Sequence, residues 1–285
     1  MSLVILLCTG SSFAQSAANV RQEQPPIPVE EIIKKFSERE REFKIARANY
    51  TYRQDVTMQE INANDRVLGE YKQVSDILFD ANGKRTEKIV YAPANTLGKG
   101  PSTLNLDAED LQDIREIQPF VLTSDDIGKY TLKYLGKEKI DEIDCYVFDV
   151  APKTIEKGQR YFQGSIWVDD QDLQIVKTYG KAVPDIRKGG EEHLFPRFET
   201  YREQIDNYWF PTYTKAVDTL QFSTGSKRVR EIIKYENYKK FQSNVKLTFG
   251  DAVEGGAVDQ APSTSPDRKA PALDPRLNES KDKKK

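Results

Sequence analysis

The spacing of apolar and polar residues changes character several times along this chain, and each change marks a predicted element. Val29, Ile32, Ile33, Phe36 and Phe43 recur at helical intervals among Glu30, Glu31, Lys34, Lys35, Glu38, Arg39 and Glu42. That pattern predicts a charged helix that buries one stripe and ends near Ala46. From there the period falls to two. Tyr50, Tyr52, Val56 and Met58 alternate with Thr51, Arg53, Asp55 and Thr57, as in a strand with one buried and one wet face. Two more strands, near 70–80 and 84–91, meet at Asn82-Gly83, a dipeptide that supplies the positive φ angles of a tight hairpin. The stretch 92–106 holds Pro93, Gly98, Gly100 and Pro101 and reads as a loop. It leads to Asp107, a good N-cap, after which Leu111, Ile114 and Ile117 fall every third residue until Pro119. A short helix is therefore predicted over 107–118, covering one face of the sheet.

Beyond residue 129 the signal is almost purely strand, with runs near 130–135, 144–150, 160–169, 173–183, 197–205, 209–222 and 227–238. Turn residues separate these runs at short intervals, which favours antiparallel meander connections over parallel crossovers. The total is about ten strands and two or three helices, a mainly β (α+β) chain whose sheet must curl or close.

The flanks differ from this middle. Leu3 to Cys8 is an unbroken apolar run followed by Ser12-Phe13-Ala14-Gln15, which reads as a secretory signal peptide (1–14) cleaved after Ala14, although no Lys or Arg precedes it. The run is far short of the roughly 20 residues that span a bilayer. Leu7 before Cys8 is not the small residue that lipoprotein processing favours. Residues 15–28, with Pro25, Pro26 and Pro28, read as a flexible segment. Residues 251–285 contain four prolines and no aromatic residue, and read as a disordered tail ending in solvated Lys283-Lys284-Lys285. One folded domain over 29–249 remains.

Charge and composition narrow the chemistry. With 43 basic and 45 acidic side chains the net charge is −2, against the basic excess of a nucleic-acid binder. His193 is the single histidine, set in the loop Gly189-Gly190-Glu191-Glu192-His193-Leu194, where adjacent side chains converge poorly on a metal. After signal removal Cys145 is the remaining cysteine, so no intramolecular disulfide forms, and its strand-like setting reads as a small buried hydrophobe. Gly98-Lys99-Gly100-Pro101-Ser102 lacks the spacing of a phosphate loop. Acidic pairs such as Asp169 with Asp172, or Asp125 with Asp126, fit turns better than a glycosidase site. Neither a catalytic residue nor a metal or cofactor is expected. Tyr, Phe and Trp number 14, 13 and 2, and Tyr146, Phe148 and Val150 lie opposite Cys145 and Val147, so some strands are apolar on both faces. A half-closed sheet incompletely covered by helices can leave an apolar cavity for acyl chains, or its core can simply be tightly packed.

The stretch Tyr130 to Pro152, with Tyr-x-Leu-x-Tyr-x-Gly, Asp144-Cys145-Tyr146-Val147-Phe148 and Ala151-Pro152-Lys153, carries a resemblance that continues through Gly164-Ser165-Ile166-Trp167-Val168-Asp169 and Leu173-Gln174-Ile175-Val176-Lys177. It resembles the outer membrane lipoprotein-sorting family of the LolA/LolB-like superfamily of periplasmic carriers. The resemblance implies an incomplete antiparallel β-barrel whose helices cover the concave face, with a helical lid over an apolar cavity. The family's Arg-Pro-x-x-Phe-Arg-Trp pattern is missing; Lys84-Arg85-Thr86-Glu87-Lys88 stands in its place, so no lid arginine is carried over. The expected function is that of a monomeric, non-enzymatic periplasmic protein holding lipid or lipoprotein acyl chains. The residues expected to line its cavity are Tyr50, Tyr52, Val56, Leu111, Ile114, Trp167 and Trp209. An envelope sensor or protein-interaction domain on the same fold, and a hydrolase using acidic residues, are the competing readings.

Overall fold

A computed structural model describes residues 19–80, 84–188 and 191–241. The expected signal peptide, the Asn82-Gly83 turn, Gly189-Gly190 and the tail 251–285 lie outside the described residues. The chain runs α1 (Val29–Arg47), β1 (Tyr50–Ile61), β2 (Val67–Phe79), β3 (Arg85–Tyr91), α2 (Ala108–Glu116), then β4 (Tyr130–Ile140), β5 (Ile143–Pro152), β6 (Tyr161–Asp169) and β7 (Ile175–Val183). A small pair, β8 (Ile186–Lys188) and β9 (Glu191–His193), precedes β10 (Phe198–Ile205), β11 (Tyr208–Phe222) and β12 (Gly225–Lys240). His193, read from sequence as a loop residue, ends the short strand β9. Three residues were too few for a periodic signal.

Ten strands form one open, curved antiparallel sheet in the order β3-β2-β1-β12-β11-β10-β7-β6-β5-β4. Neighbours in this order are mostly neighbours in sequence, as the short turns predicted. Two pairs depart from this: β10 pairs with β7 across the small β8–β9 pair, and β1 pairs with β12, from Tyr50↔Lys240 to Ile61↔Arg228. Consequently β3 and β4, consecutive large-sheet strands in the chain, sit at opposite edges. The connection between them, which includes α2, must cross from one edge to the other. The sheet is an incomplete barrel, with this crossing and α1 over one face.

Both helices use that face. Ile32 and Phe36 of α1 pack with Tyr146, Phe148 and Val150 of β5 and with Ile166 and Val168 of β6. Ile114 of α2 packs with Tyr52, Val56 and Met58 of β1 and with Ile233 and Tyr235 of β12. Glu30 and Glu31 in the first turn of α1 and Lys44 and Arg47 in its last turn complement the helix dipole. Asp107 and Asp110 form a reciprocal capping box at the start of α2. On the other face, Cys145 and Val147 join Ile143, Trp167, Val176 and Trp209 in a second apolar layer, as period-two alternation requires.

The segment ahead of α1 is tied down where it is described. Arg21 and Lys137 exchange backbone hydrogen bonds of 2.8 and 3.0 Å, and the Tyr134 hydroxyl donates to the Glu23 carbonyl at 2.9 Å. These contacts lie along β4, so one sheet edge is covered. At the other edge Ile89, Val90 and Tyr91 of β3 are 57%, 48% and 53% exposed.

Candidate ligand-binding cleft

The crossing segment is held down by buried polar contacts that sequence periodicity does not report. Glu60 of β1 accepts hydrogen bonds from the Ser102 hydroxyl (2.7 Å) and from the Thr103 and Leu104 amides (2.7 and 2.8 Å). Burial alone would raise the Glu60 carboxyl, but these bonds and nearby Lys227 hold it below its ordinary value. Further along, the Gln118 carbonyl accepts from Thr200 Oγ1 at 3.0 Å, and the Phe120 carbonyl accepts from Arg202 Nη2. The Ser124 amide donates to the Ser37 carbonyl of α1 at 2.9 Å. Thus residues 117–124 pass between α1 and the sheet as a fastened strap.

Where this strap leaves α2, a cleft of about 790 Å³ opens. Arg85 and Glu87 of edge strand β3 line it, as do Tyr130 at the start of β4 and Tyr161 of β6. It therefore lies where the sheet fails to close. Tyr52, Phe79, Ile117, Pro119, Phe120 and Val121 supply apolar and aromatic surface, and Lys44, Arg47, Arg115, Asp126, Lys129, Glu156 and Arg160 supply charge. The volume falls in the range of about 300–1,000 Å³ typical of small-molecule sites. Glu87 joins β3 to α2, accepting from Arg85 at 3.0 Å and Arg115 at 3.2 Å. Arg160 is bound to Asp113 of α2 at 2.7 Å.

Of the residues expected to line a cavity, Tyr52 lines this cleft. Val56, Leu111 and Ile114 share its apolar cluster, where Val56 and Ile114 are buried. Tyr50 packs nearby on Phe43 and Phe210. Trp167 and Trp209 belong to the apolar layer on the face away from the helices, with their indole nitrogens on Glu138 (2.8 Å) and Asp172 (3.2 Å). The expected set thus falls on two faces. Of the cleft's remaining lining, Arg47, Arg115 and Arg160 each read in the sequence as an ordinary surface charge. Only the crossing of the chain brings them together.

A second hollow of about 450 Å³ is lined by Met58, Leu104, Leu194, Leu220 and Val229 with Asp107, Asp110 and His193. Donor atoms of Asp107, Glu109 and His193 lie within 4.8 Å of one another, the group of metal-ligand type found among the described residues. Asp107 Oδ2 contacts His193 Nδ1 and its carboxylate also caps α2, so both side chains already have structural work. Burial pushes the Asp110 carboxyl up to about 7.

Comparison with known proteins finds remote likenesses. A family model described as an uncharacterized protein matches residues 120–245. The chain's structural neighbours include a DUF1329 family protein and a lipoprotein-sorting domain. The first, from Desulfovibrio piger, is 19% identical with a TM-score of 0.38, over 78% of this chain and 95% of that one. The second, from Vibrio parahaemolyticus and named for outer membrane lipoprotein sorting, is 15% identical with a TM-score of 0.33, over 73% and 93%. MucB in complex with MucA, from Pseudomonas aeruginosa, is 11% identical with a TM-score of 0.20, over 70% and 96%. No curated protein matches the chain. Among the described residues no helix is long and apolar enough to cross a membrane.

Proposed function

We propose that this protein is a non-enzymatic binding protein of the bacterial periplasm that holds an amphiphile, such as a lipid or the acyl chains of a lipoprotein, in the cleft between the two sheet edges. The observation that carries this reading is the cleft itself: about 790 Å³, with Tyr52, Phe79, Ile117 and Phe120 among its walls. Burying methylene groups there contributes about 0.8 kcal/mol each, so an acyl chain can bind without polar chemistry. The tightly packed clusters under both helices leave the cleft as the place for such a chain, rather than the layer between helix and sheet. Export is read from the apolar leader, and delivery to the outer membrane is one use of such binding. The test is organic extraction of the protein purified from periplasm, followed by mass spectrometry, together with titration of a fluorescent fatty acid. Co-purified lipid and saturable binding are expected; neither lipid nor binding would end this proposal.

A second reading, recognition of an envelope protein, has its own support in the bare β3 edge, where unpaired backbone groups and exposed Ile89, Val90 and Tyr91 suit strand addition. A partner captured by the wild type and released by Val90→Pro would favour it. Capture that is unchanged by Val90→Pro would count against it.

A further inference from the structure

On the helix-covered side of the sheet two arginines and one glutamate cluster at one point. Glu40, Phe43 and Arg47 lie on one side of α1, and Glu40 is buried beneath it. Its carboxylate is already committed: Arg202 Nη1 donates to both oxygens at 3.1 and 3.2 Å, and the Ile175 amide donates to Oε1 at 3.1 Å. Arg47, half-buried, sits beside this pair, within electrostatic reach of Glu40 but not ion-paired to it. Among the described residues it forms no ion pair, its Nε is buried with no hydrogen-bond acceptor, and its guanidinium rests against the Phe43 ring at 5.7 Å. Burial and the neighbouring Arg202 both depress the Arg47 pKa, whereas Tyr52, Tyr238 and Glu40 raise it. A cation partly removed from water with no ion-pair partner is costly, because Coulomb attraction has not fully replaced hydration.

Arg47 also lines the cleft, and there it differs from the other cations. Lys44 and Lys129 face Asp126 at 3.6 and 2.8 Å, Arg85 and Arg115 share Glu87, and Arg160 holds Asp113. The exposed Glu116 and Glu156 also border the cleft, where water screens them. The geometry points to Arg47 as the seat of an anionic group, a phosphate or carboxylate, carried by the molecule that enters the cleft. This rests on the amphiphile reading of the same cleft and names the headgroup class. The guanidinium fork suits two oxygens of such a group, while the aromatic and aliphatic walls beside it take the chain.

The test is calorimetric titration of the full chain with dodecyl phosphate, with dodecyl maltoside as a neutral amphiphile of the same chain, each below its micelle concentration, and with inorganic phosphate. Dodecyl phosphate is expected to bind at least about tenfold more tightly than dodecyl maltoside, the worth of a charge-assisted hydrogen bond. Arg47→Gln should abolish that preference and Arg47→Lys should keep part of it. Equal binding of the two amphiphiles, or an unchanged preference in Arg47→Gln, would overturn the headgroup assignment and leave the amphiphile reading standing. Inorganic phosphate binding as tightly as dodecyl phosphate, with the loss in Arg47→Gln, would support the anion seat and remove the amphiphile reading. No binding of any probe overturns both. If Arg47→Gln fails to fold, salt decides on the wild type: rising NaCl should weaken dodecyl phosphate selectively, and equal weakening of both amphiphiles sinks the assignment.

Discussion

Arg202 and Glu40 are both almost fully buried and meet across 162 positions of sequence. Removing one charge strands the other, so Arg202→Met is expected to cost about 3–5 kcal/mol in urea unfolding. Glu40→Met combined with Arg202→Met should recover most of that loss, because neither member of the pair is left charged without the other. Glu231 presents a related case. Gln118 Nε2 donates to its Oε2 at 2.8 Å, while Oε1 of each residue is buried without a partner among the described residues. Burial lifts the Glu231 carboxyl to about 7, against about 4.3 in an unfolded chain. The folded state therefore keeps the proton over a range in which the unfolded state has lost it, and stability falls as pH rises from about 4 to 7. Thermal melts at pH 5 and pH 8 should differ less for Glu231→Gln than for the wild type. None of these buried charges was legible beforehand. Glu40 sits within the stripe of Phe36 and Phe43, and periodicity explains a stripe but not the carboxylate inside it, whose partner lies on a distant strand.

At the scale of elements, α1, α2 and all ten large-sheet strands were legible, since each runs long enough to display its period. The register was not, because which face a strand buries depends on partners such as β12 against β1. For that reason the sequence does not separate Trp167 and Trp209 from Tyr52 and Val56, which occupy the opposite face. The cleft was legible only as the general idea of an uncovered sheet. Its walls come from α1, α2, the strap and several strands, and no local pattern joins them. The crossing segment carries its own prediction. Glu60→Gln keeps the size of the side chain but weakens three hydrogen bonds to 102–104, so a loss of about 1–3 kcal/mol and faster limited proteolysis within 92–106 are expected. Because the Glu60 carboxyl is held below its ordinary value, its contribution is full above the unfolded pKa and disappears as pH falls through the folded one. The wild type and Glu60→Gln should therefore converge in stability in acid.

The molecule as a whole is defined by two sheet edges that never meet. The β4 edge is covered by the segment around Arg21, and the β3 edge is not covered among the described residues. An uncovered strand with exposed apolar side chains invites pairing between molecules. Val90→Lys is expected to lower concentration-dependent light scattering, and a chain beginning at residue 29 to raise it by baring the second edge. The pairing of β1 with β12 has a consequence of another kind, in time rather than in space. The strand that begins at Tyr50 acquires its second neighbour only when the segment ending at Lys240 is available, a long loop to close before the central contacts form. A ribosome-bound chain of this design stays without its central seam until the segment through Lys240 has emerged.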